Sequence, residues 1–243
     1  MLSPYVLKPD RYSSHAQIAA WLKARRLRSA SSDTYAVLDV GCAGGFLGHW
    51  LAADEFYLMG VDNNQVYLND LNANYRQKIL ADIELYPALN LDRQPDALVL
   101  ADVLEHCRHP VEVLHYLCKT YLRPGADVII SVPNVTHWYV RLSLLLGRFD
   151  YADRGLLDRT HLRFFTLESA SDFCAQNQIV VEEVRVTPTP LPLINPIFGN
   201  GGLLYGLHAL NGRLTHLFRH LLGYQFIFMG TYQPHTLLDA GEE

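Results

Sequence analysis

Several absences narrow the class of protein. The four cysteines, Cys42, Cys107, Cys118 and Cys174, contain no CxxC pair, which argues against a disulfide framework or a structural zinc site. No apolar run approaches the ~20 residues of a membrane span, and the start MLSPYVLKPDRY lacks the basic and then apolar pattern of a secretory signal. We therefore expect a soluble, cytoplasmic protein with reduced thiols.

Basic charge is also scarce. The 20 lysines and arginines are outnumbered by 25 aspartates and glutamates, which gives a formal net charge of -5. A protein built to bind a phosphate backbone usually carries the opposite excess, so we do not expect nucleic acid as a partner. With 243 residues, 49% of them hydrophobic, the chain is long enough to bury a substantial core, and we expect one domain.

Short apolar runs alternate with helical stretches along most of the chain. The predicted strands are 35–40, 56–61, 78–81, 96–101, 127–132, 179–186 and 224–232. The predicted helices between them are 45–53, 64–75, 110–120, 137–146 and 167–177. Such alternation is typical of a mainly parallel sheet covered on both faces. The expected fold is therefore α/β and Rossmann-like, with a seven-stranded, mostly parallel sheet, helices on both faces, and a helical insertion before the last strand.

The two ends of the chain differ from its middle. Ser13 and Ser14 precede apolar residues at helical spacing, which predicts a capped helix running into the basic cluster 23–28. Residues 188–222 begin with prolines and glycines and then become periodic. The predicted divisions are an N-terminal helical extension covering the site (1–34), the core (35–187), a helical insertion (188–222), and the last strand with a C-terminal tail (223–243).

Three roles fit the insertion at 188–222. Leucines recur there at alternating four- and three-residue steps, while histidines and arginines occupy the other faces. The leucines are Leu203, Leu207, Leu210, Leu214, Leu217 and Leu221. A lid or wall of the acceptor pocket is the first interpretation, and a homodimer face is the second. The third is a monotopic contact with a membrane that carries a lipid-linked substrate.

The most informative stretch is LDVGCAGGF at 38–46, where a buried strand runs into small residues. Gly41, Ala43 and Gly45 alternate there, and Asp39 precedes the first glycine by two positions. Small residues let the backbone approach a ligand, and a helix N-terminus after them offers unpaired N–H groups. Dinucleotide-binding loops read GxGxxG instead, and that spacing is absent.

Three further predicted strands end in acids. Asp62 follows the second strand, where a carboxylate can accept both hydroxyls of a ribose. The third strand ends in Asp82 and Ile83, a pair suited to an adenine amino group and ring face, and the fourth ends in Asp102. Because the carboxyl ends of parallel strands line one crevice, we expect these side chains to share a site.

Together these features resemble the class I S-adenosylmethionine (SAM)-dependent methyltransferases. The resemblance covers about residues 35–186 and is carried by LDVGCAGG, GVDNN, LADIE, ADVLEHCRHP, LRPGADVIISVPN and DRTHLRFFT. It implies SAM as cofactor. The cofactor pocket implied by it is lined by Asp39, Gly41, Ala43, Gly45, Asp62, Asn63, Asp82, Ile83 and Asp102. Ala43 departs from the usual glycine of the loop.

The acceptor is less well defined by the sequence. The stretch from Ser131 to Thr166 resembles methyltransferases found with glycosyltransferases in bacterial polysaccharide or lipid-linked glycan pathways. That resemblance implies methylation of a small-molecule hydroxyl on a sugar, a lipid-linked glycan or a quinone-like substrate. Two other functions remain open: an NAD-dependent sugar oxidoreductase or epimerase, and a SAM-fold subunit that binds a partner without catalysis.

A hydroxyl acceptor needs a base, and two histidines are candidates. His106 follows the fourth strand and His161 lies in the DRTHLRFF segment, and Glu105 or Asp158 could orient either one. The plain alternative, a histidine that only hydrogen-bonds a loop, is the more common one. Methyl transfer itself depends mainly on holding the reacting atoms in line.

Two other features have both a functional and a plain structural explanation. The spacing of Asp102, Glu105 and His106 is similar to a magnesium-binding variant of some quinone O-methyltransferases, but the same letters occur without metal, and we expect none. A cluster of arginines fits either surface ion pairs or recognition of an anionic substrate. Its members are Arg141, Arg148, Arg154, Arg159 and Arg163.

Overall fold

The computed structural model describes residues 10–29, 33–199 and 202–234. Seven strands form one sheet in the order β3-β2-β1-β4-β5-β7-β6, in which β7 runs antiparallel to both of its neighbours and the other pairs are parallel. The strands are β1 (Tyr35–Val40), β2 (Phe56–Asp62), β3 (Tyr75–Leu80), β4 (Ala97–Ala101), β5 (Asp127–Pro133), β6 (Ile179–Pro188) and β7 (Gly223–Tyr232). The predicted fold class is confirmed.

Helices cover both faces of the sheet. They are α1 (Ser14–Arg28), α2 (Gln65–Asn69), α3 (Pro110–Tyr121), α4 (Trp138–Leu145) and α5 (Leu167–Gln176), followed by α6 (Leu191–Ile194), α7 (Tyr205–Leu217) and α8 (Arg219–Leu222) between β6 and β7. The predicted divisions at 34, 187 and 222 stay predictions. Parts of these segments, 1–9, 30–32, 200–201 and 235–243, lie outside the described residues.

The central strands are buried on both sides, which explains their continuous apolar runs. On one face, Leu38 and Leu100 pack with residues of α3 and α5. On the other, Val37 and Val99 pack with Ile18 and Leu22 of α1. Helix α1 begins where the Ser13 hydroxyl accepts a hydrogen bond from the Ala16 N–H at 3.3 Å. The N-terminal helix therefore belongs to the same core as the sheet.

Two predicted helices are much shorter than expected. The stretch 45–53 contains only a 3-10 turn at Leu47–His49, and 64–75 is helical only over α2, so that β3 begins at Tyr75 instead of 78. The physical reason is side-chain competition for the carbonyls. Asn72 donates to the Gly45 carbonyl at 2.9 Å, and Asn74 donates to the Gly48 carbonyl at 2.6 Å. In a continuous helix over 45–53, the Gly45 and Gly48 carbonyls would instead have accepted hydrogen bonds from backbone N–H groups of the same helix.

The insertion between β6 and β7 is helical as predicted, but its leucine stripe faces outward. Each leucine of the stripe is exposed, from 38% at Leu214 to 88% at Leu203, whereas His208, Gly212 and Thr215 are the buried residues of α7. A β-carbon at Gly212 would lie 2.8 Å from the Tyr12 ring, so the small face of the helix is pressed against the N-terminal segment. No helix among the described residues is long and apolar enough to span a bilayer.

Candidate active site

The loop after β1 has an unusual backbone conformation. Gly41, Ala43 and Gly45 adopt φ values of +70°, +45° and +73°, in the left-handed region that favours glycine. A β-carbon at Gly41 would lie 2.4 Å from the Cγ2 atom of Val103, so this position also needs the absence of a side chain. Ala43 holds the same type of conformation at some cost in strain, since it carries a β-carbon.

Asp62 connects this loop to the end of β2. One of its carboxylate oxygens accepts the Ala43 N–H at 2.9 Å, and the other accepts the Asn64 N–H at 2.9 Å. The residue is buried. Because each carboxylate oxygen has two lone pairs, Asp62 retains acceptor capacity towards a ligand.

Asp39 is a buried acid beside the same loop. Burial and the negative charge of Asp62 together raise the pKa of Asp39 to about 7, although a hydrogen bond from the Tyr75 hydroxyl opposes them. Near neutral pH this carboxyl is therefore poised between its two states. A cation bound nearby would favour the ionised form.

A cavity of about 280 Å³ opens between the ends of β1, β2 and β4. Of the predicted cofactor residues, all except one line it: Asp39, Gly41, Ala43, Asp62, Asn63, Asp82, Ile83 and Asp102. The exception is Gly45, whose added β-carbon would lie 2.7 Å from Leu71 Cδ2, so its smallness serves the packing behind the loop.

The cavity also has lining residues that the sequence did not indicate. They include His15, Phe46, Tyr67, Glu84 and Cys107. The rings of His15 and Phe46 meet edge to face with their centroids 5.9 Å apart, which brings α1 over the cavity. No sequence pattern links a histidine of the N-terminal helix to a loop thirty residues later, so only the packing of α1 reveals it.

Asp102 is the point where this cavity meets a second one. Its φ is +60°, and its carboxylate accepts the Ser131 hydroxyl at 2.8 Å and the Gln225 amide, whose Nε2 lies 2.7 and 2.6 Å from the two oxygens. Asp102 lines the first cavity and Gln225 lines the second. One hydrogen-bonded pair thus separates the two spaces.

The second cavity, of about 260 Å³, is mainly apolar and aromatic. Its walls come from the N-terminal segment, the end of β6, the insertion and the start of β7. The lining residues include Tyr12, Pro188, Pro190, Pro192, Leu193, Tyr205 and Tyr224. The polar groups are few, among them Gln225 and the His208–Asp10 pair, in which Nε2 and a carboxylate oxygen are 2.7 Å apart. Concave, mainly apolar sites with a few polar groups are typical of small-molecule binding.

The two predicted catalytic histidines occupy different positions. His106 lines the first cavity, whereas His161 is buried beside it, with ring centroids 4.8 Å apart. His106 Nδ1 lies 3.2 Å from the Thr160 carbonyl oxygen, and since a carbonyl only accepts, Nδ1 carries the proton and Nε2 the lone pair. Burial and the neighbouring His106 lower the pKa of His161. Of these two histidines, His106 is therefore the one that faces the cavity.

Asp158 positions His106 indirectly. Its carboxylate oxygen accepts the Thr160 N–H at 2.8 Å and the Thr160 hydroxyl at 2.7 Å. The Thr160 hydroxyl oxygen in turn lies 3.0 Å from His106 Nδ1. Because the Thr160 hydroxyl donates its proton to Asp158, its oxygen accepts a hydrogen bond from the His106 Nδ1–H. This agrees with the tautomer inferred from the Thr160 carbonyl, in which Nδ1 carries the proton. Asp158 is thus linked to His106 through Thr160, and an orienting effect of this carboxylate stays a prediction.

The possible metal ligands that lie together are not the set Asp102, Glu105 and His106, whose spacing resembles a magnesium-binding variant and for which we expected no metal. Glu105 is fully buried, and neither of its carboxylate oxygens has a hydrogen-bond partner among the described residues. Its ligand atoms lie within 4.8 Å of those of His106 and His161. Asp102, the third residue of that spacing, is not part of this group, and its carboxylate accepts hydrogen bonds from Ser131 and Gln225. Two imidazoles and one carboxylate suit a transition metal better than magnesium.

The predicted arginine cluster lies mainly at the surface. Arg141 donates to the Thr136 carbonyl at 2.6 Å, Arg159 pairs with Asp153 at 2.7 Å, and Arg163 also donates to a backbone carbonyl. All five arginines are exposed. The plain explanation, surface hydrogen bonds and ion pairs, accounts for these three.

The sheet order, the left-handed loop after β1 and the acids at the following strand ends define the class I SAM-dependent methyltransferase fold, which confirms the resemblance seen in the sequence. Within that class the chain belongs to the MetW family. The family model, described as "Methionine biosynthesis protein MetW", matches residues 24–189.

Known proteins with related sequences and structures agree with this class. A ubiquinone biosynthesis O-methyltransferase of Acinetobacter baylyi is 31% identical over 104 residues, which is 40% of this chain and 43% of that protein. The chain thus spans less than half of that relative. A magnesium protoporphyrin IX methyltransferase of Synechocystis with bound S-adenosylhomocysteine (SAH) has a TM-score of 0.57 at 14% identity, covering 92% of this chain and 83% of the other. A SAM-dependent methyltransferase of Archaeoglobus fulgidus has a TM-score of 0.56 at 18% identity, covering 90% and 95%.

Proposed function

We propose that this protein binds SAM in the first cavity and transfers its methyl group to a hydroxyl of an apolar small molecule held in the second cavity. The observation that carries the proposal is the Gln225–Asp102 pair, which places a mainly apolar pocket directly beside the cavity with the cofactor-binding pattern.

The residues of the first cavity fit the cofactor. The φ values of Gly41 and Ala43 open the loop to a ligand, and Asp62 has acceptor capacity for ribose hydroxyls. Asp82 and Ile83 would receive the adenine. Asp39, whose pKa is about 7, would be held in its ionised form by the positive charge of the cofactor. When bound, SAM supplies an electrophilic methyl group on a sulfonium.

His106 is the proposed general base. Its Nε2 carries the lone pair, and the residue lines the cavity wall just past Asp102. Thr160 holds the opposite nitrogen, and Asp158 holds Thr160. Such an imidazole can take the proton from the acceptor hydroxyl as the hydroxyl oxygen is methylated. His161 then serves to pack behind the ring of His106.

The lining of the second cavity favours one acceptor class. Prolines, tyrosines and a leucine form most of its wall, so we propose a quinone-like or lipid-linked acceptor with an apolar body and a hydroxyl instead of a free sugar. The name of the Acinetobacter relative, a ubiquinone biosynthesis O-methyltransferase, supports the quinone-like alternative. A polysaccharide pathway stays a prediction.

Calorimetry with SAM, SAH and NAD tests the cofactor. We expect SAM and SAH to bind and NAD not to bind. Asp62→Ala should abolish binding, whereas the control Asp172→Ala, at an exposed acid of α5, should leave it unchanged. Binding of NAD alone would sink the proposal and favour the oxidoreductase.

Labelled-methyl transfer tests the reaction. The purified protein, tritiated SAM and a lipid extract enriched in hydroquinones should yield a labelled organic-phase product. Parallel reactions with EDTA test whether a metal ion at Glu105, His106 and His161 is needed. SAM binding without transfer to any extract fraction would instead favour a non-catalytic subunit.

A further inference from the structure

The insertion presents an apolar surface to the outside of the molecule. We call the exposed leucines of α7 and α8, together with Phe218, the outer stripe. Its exposed fractions include 52% at Leu207, 75% at Leu217 and 55% at Phe218. An amphipathic helix in a globular protein normally turns its apolar face to the core. Within residues 10–29, 33–199 and 202–234, no segment covers this apolar face.

The orientation of α7 is set by its opposite face. His208 is fully buried and lies 2.7 Å from Asp10, and Gly212 admits the Tyr12 ring. Thr215 is also buried and bonds back to the Asn211 carbonyl at 2.8 Å. Turning the leucines inward would break the His208–Asp10 pair, so the outer stripe is a stable feature of the fold.

A second apolar helix adjoins the insertion. Helix α4 and the residues after it expose Tyr139 at 53%, Leu145 at 82% and Leu146 at 64%. The side chain of Asn134, just before α4, donates to the carbonyls of His220 and Gly223 at 3.0 and 2.7 Å. The two apolar segments are therefore joined at the end of the insertion.

The charge of these segments differs from that of the rest of the chain. Neither 134–149 nor 188–222 contains an aspartate or glutamate, although the whole chain has a net charge of -5. The charged side chains in them are arginines, all exposed: Arg141, Arg148, Arg213 and Arg219. Exposed leucines and aromatics beside cations, with no acid, are the chemistry that binds an anionic membrane surface.

We propose that the outer stripe and the adjoining face of α4 dock on an anionic lipid bilayer, with the leucines in the acyl boundary and the arginines at lipid phosphates. A second copy of the chain fits this surface less well. In a two-fold dimer the same patch faces itself, so the arginines would meet without acids to pair with them. The bilayer supplies the missing negative charge.

Docking would also serve the reaction. The same insertion contributes Pro190, Leu193 and Tyr205 to the second cavity, so docking would hold one wall of that cavity close to the bilayer in which an apolar acceptor dissolves. This last step rests on the proposed function, whereas the docking itself does not.

Flotation of the full chain with vesicles tests the proposal. Vesicles of phosphatidylcholine with phosphatidylglycerol should carry the protein upward in a density gradient, and pure phosphatidylcholine vesicles or 0.5 M salt should carry at least about tenfold less, because screening weakens the attraction. The double variant Leu207→Gln with Leu217→Gln should lose at least about tenfold in binding, since each buried side chain contributes to the partition.

The matched control changes two exposed leucines elsewhere, Leu27→Gln with Leu85→Gln, whose exposed fractions are 84% and 76%. It should float like the unmodified protein. Equal flotation of both variants, or no flotation with anionic vesicles, would overturn the proposal. A dimer in sedimentation analysis that Leu207→Gln with Leu217→Gln dissociates, without vesicle binding, would assign the surface to a second copy instead. SAH calorimetry on the same samples keeps this outcome separate from that of the proposed function.

Discussion

The amide of Gln225 at the start of β7 donates to both carboxylate oxygens of Asp102 at the end of β4, 123 positions earlier in the chain. The contact joins the antiparallel end of the sheet to its parallel half through side chains. It also forms the boundary between the two cavities. In the proposed reaction, the geometry of this boundary would govern how closely the acceptor approaches the cofactor.

Replacing this glutamine is expected to impair transfer but not cofactor binding. In Gln225→Leu the Asp102 carboxylate keeps only the hydrogen bond from the Ser131 hydroxyl. The Asp102 side chain is then no longer held in place between the two cavities. We expect kcat/KM for the acceptor to fall by about 10- to 100-fold, a loss of ~1.4–2.7 kcal/mol, with SAH affinity within about threefold. Initial rates and calorimetry measure the two effects. An equal loss of both would show that Gln225 supports the cofactor cavity instead.

The pKa of Asp39 predicts a pH-dependent affinity for SAM. A cationic ligand binds the ionised carboxylate better, and with a pKa of about 7 the ionised fraction falls about tenfold between pH 8 and pH 6. We therefore expect the affinity to fall by up to about tenfold over that interval. Asp39→Asn should bind weakly with no such dependence. A flat profile for the unmodified protein would contradict the assignment.

The raised pKa of Asp39 makes the stability of the ligand-free protein fall as the pH rises, whereas the affinity for SAM should rise. The folded-state pKa of about 7 lies above the ordinary value of 3.8, so the ligand-free fold holds a proton that the unfolded chain releases. The contribution of Asp39 to stability is therefore full below pH 4 and is lost as the pH rises through 7. Asp39→Asn, which cannot ionise, should gain on the order of 2 kcal/mol relative to the unmodified protein between pH 5 and pH 8. Urea unfolding at both pH values measures this gain.

The loop after β1 predicts opposite effects of two small changes. Gly41→Ala adds a β-carbon 2.4 Å from Val103 Cγ2 at a φ of +70°, so it should destabilise the protein by at least ~1–2 kcal/mol and abolish SAH binding. Ala43→Gly removes a β-carbon at a φ of +45°, so it should leave stability unchanged or raise it by up to ~1 kcal/mol and preserve binding. Thermal unfolding with and without SAH measures both. Equal effects of the two variants would rule out the conformational explanation.

Thr160 is predicted to position the base. Thr160→Val removes the hydroxyl between Asp158 and His106, so kcat should fall by about tenfold while KM for SAM stays within about twofold. Thr160→Ser, which keeps the hydroxyl, should restore most of the rate. The pH profile distinguishes positioning from folding: the apparent pKa of the rate should move in the valine variant and return in the serine variant. A loss in both variants with an unchanged profile would mean that Thr160 is only structural.

Much of the fold and of the cofactor cavity could be predicted from the sequence, because both depend on short-range rules. Buried parallel strands produce continuous apolar runs, and a residue that follows such a strand must lie at the carboxyl edge of the sheet. The sequence therefore predicted, without knowledge of the packing, that Asp39, Asp62 and Asp102 share one cavity, and the structure shows that they line it together. The small residues of the loop predicted a close approach of the backbone to a ligand, whereas its left-handed φ values are seen only in the structure.

The rest was decided by contacts between distant parts of the chain. His161 lies beside Glu105 and His106, a proximity between separate segments that no spacing in the sequence predicted. The second cavity needs walls from four separate segments, and no spacing rule connects them. The periodicity of the insertion predicted a helix but could not say which face is buried, since that depends on the Asp10–His208 pair and on the fit of Tyr12 against Gly212. Periodicity describes one helix, whereas burial depends on what packs against it.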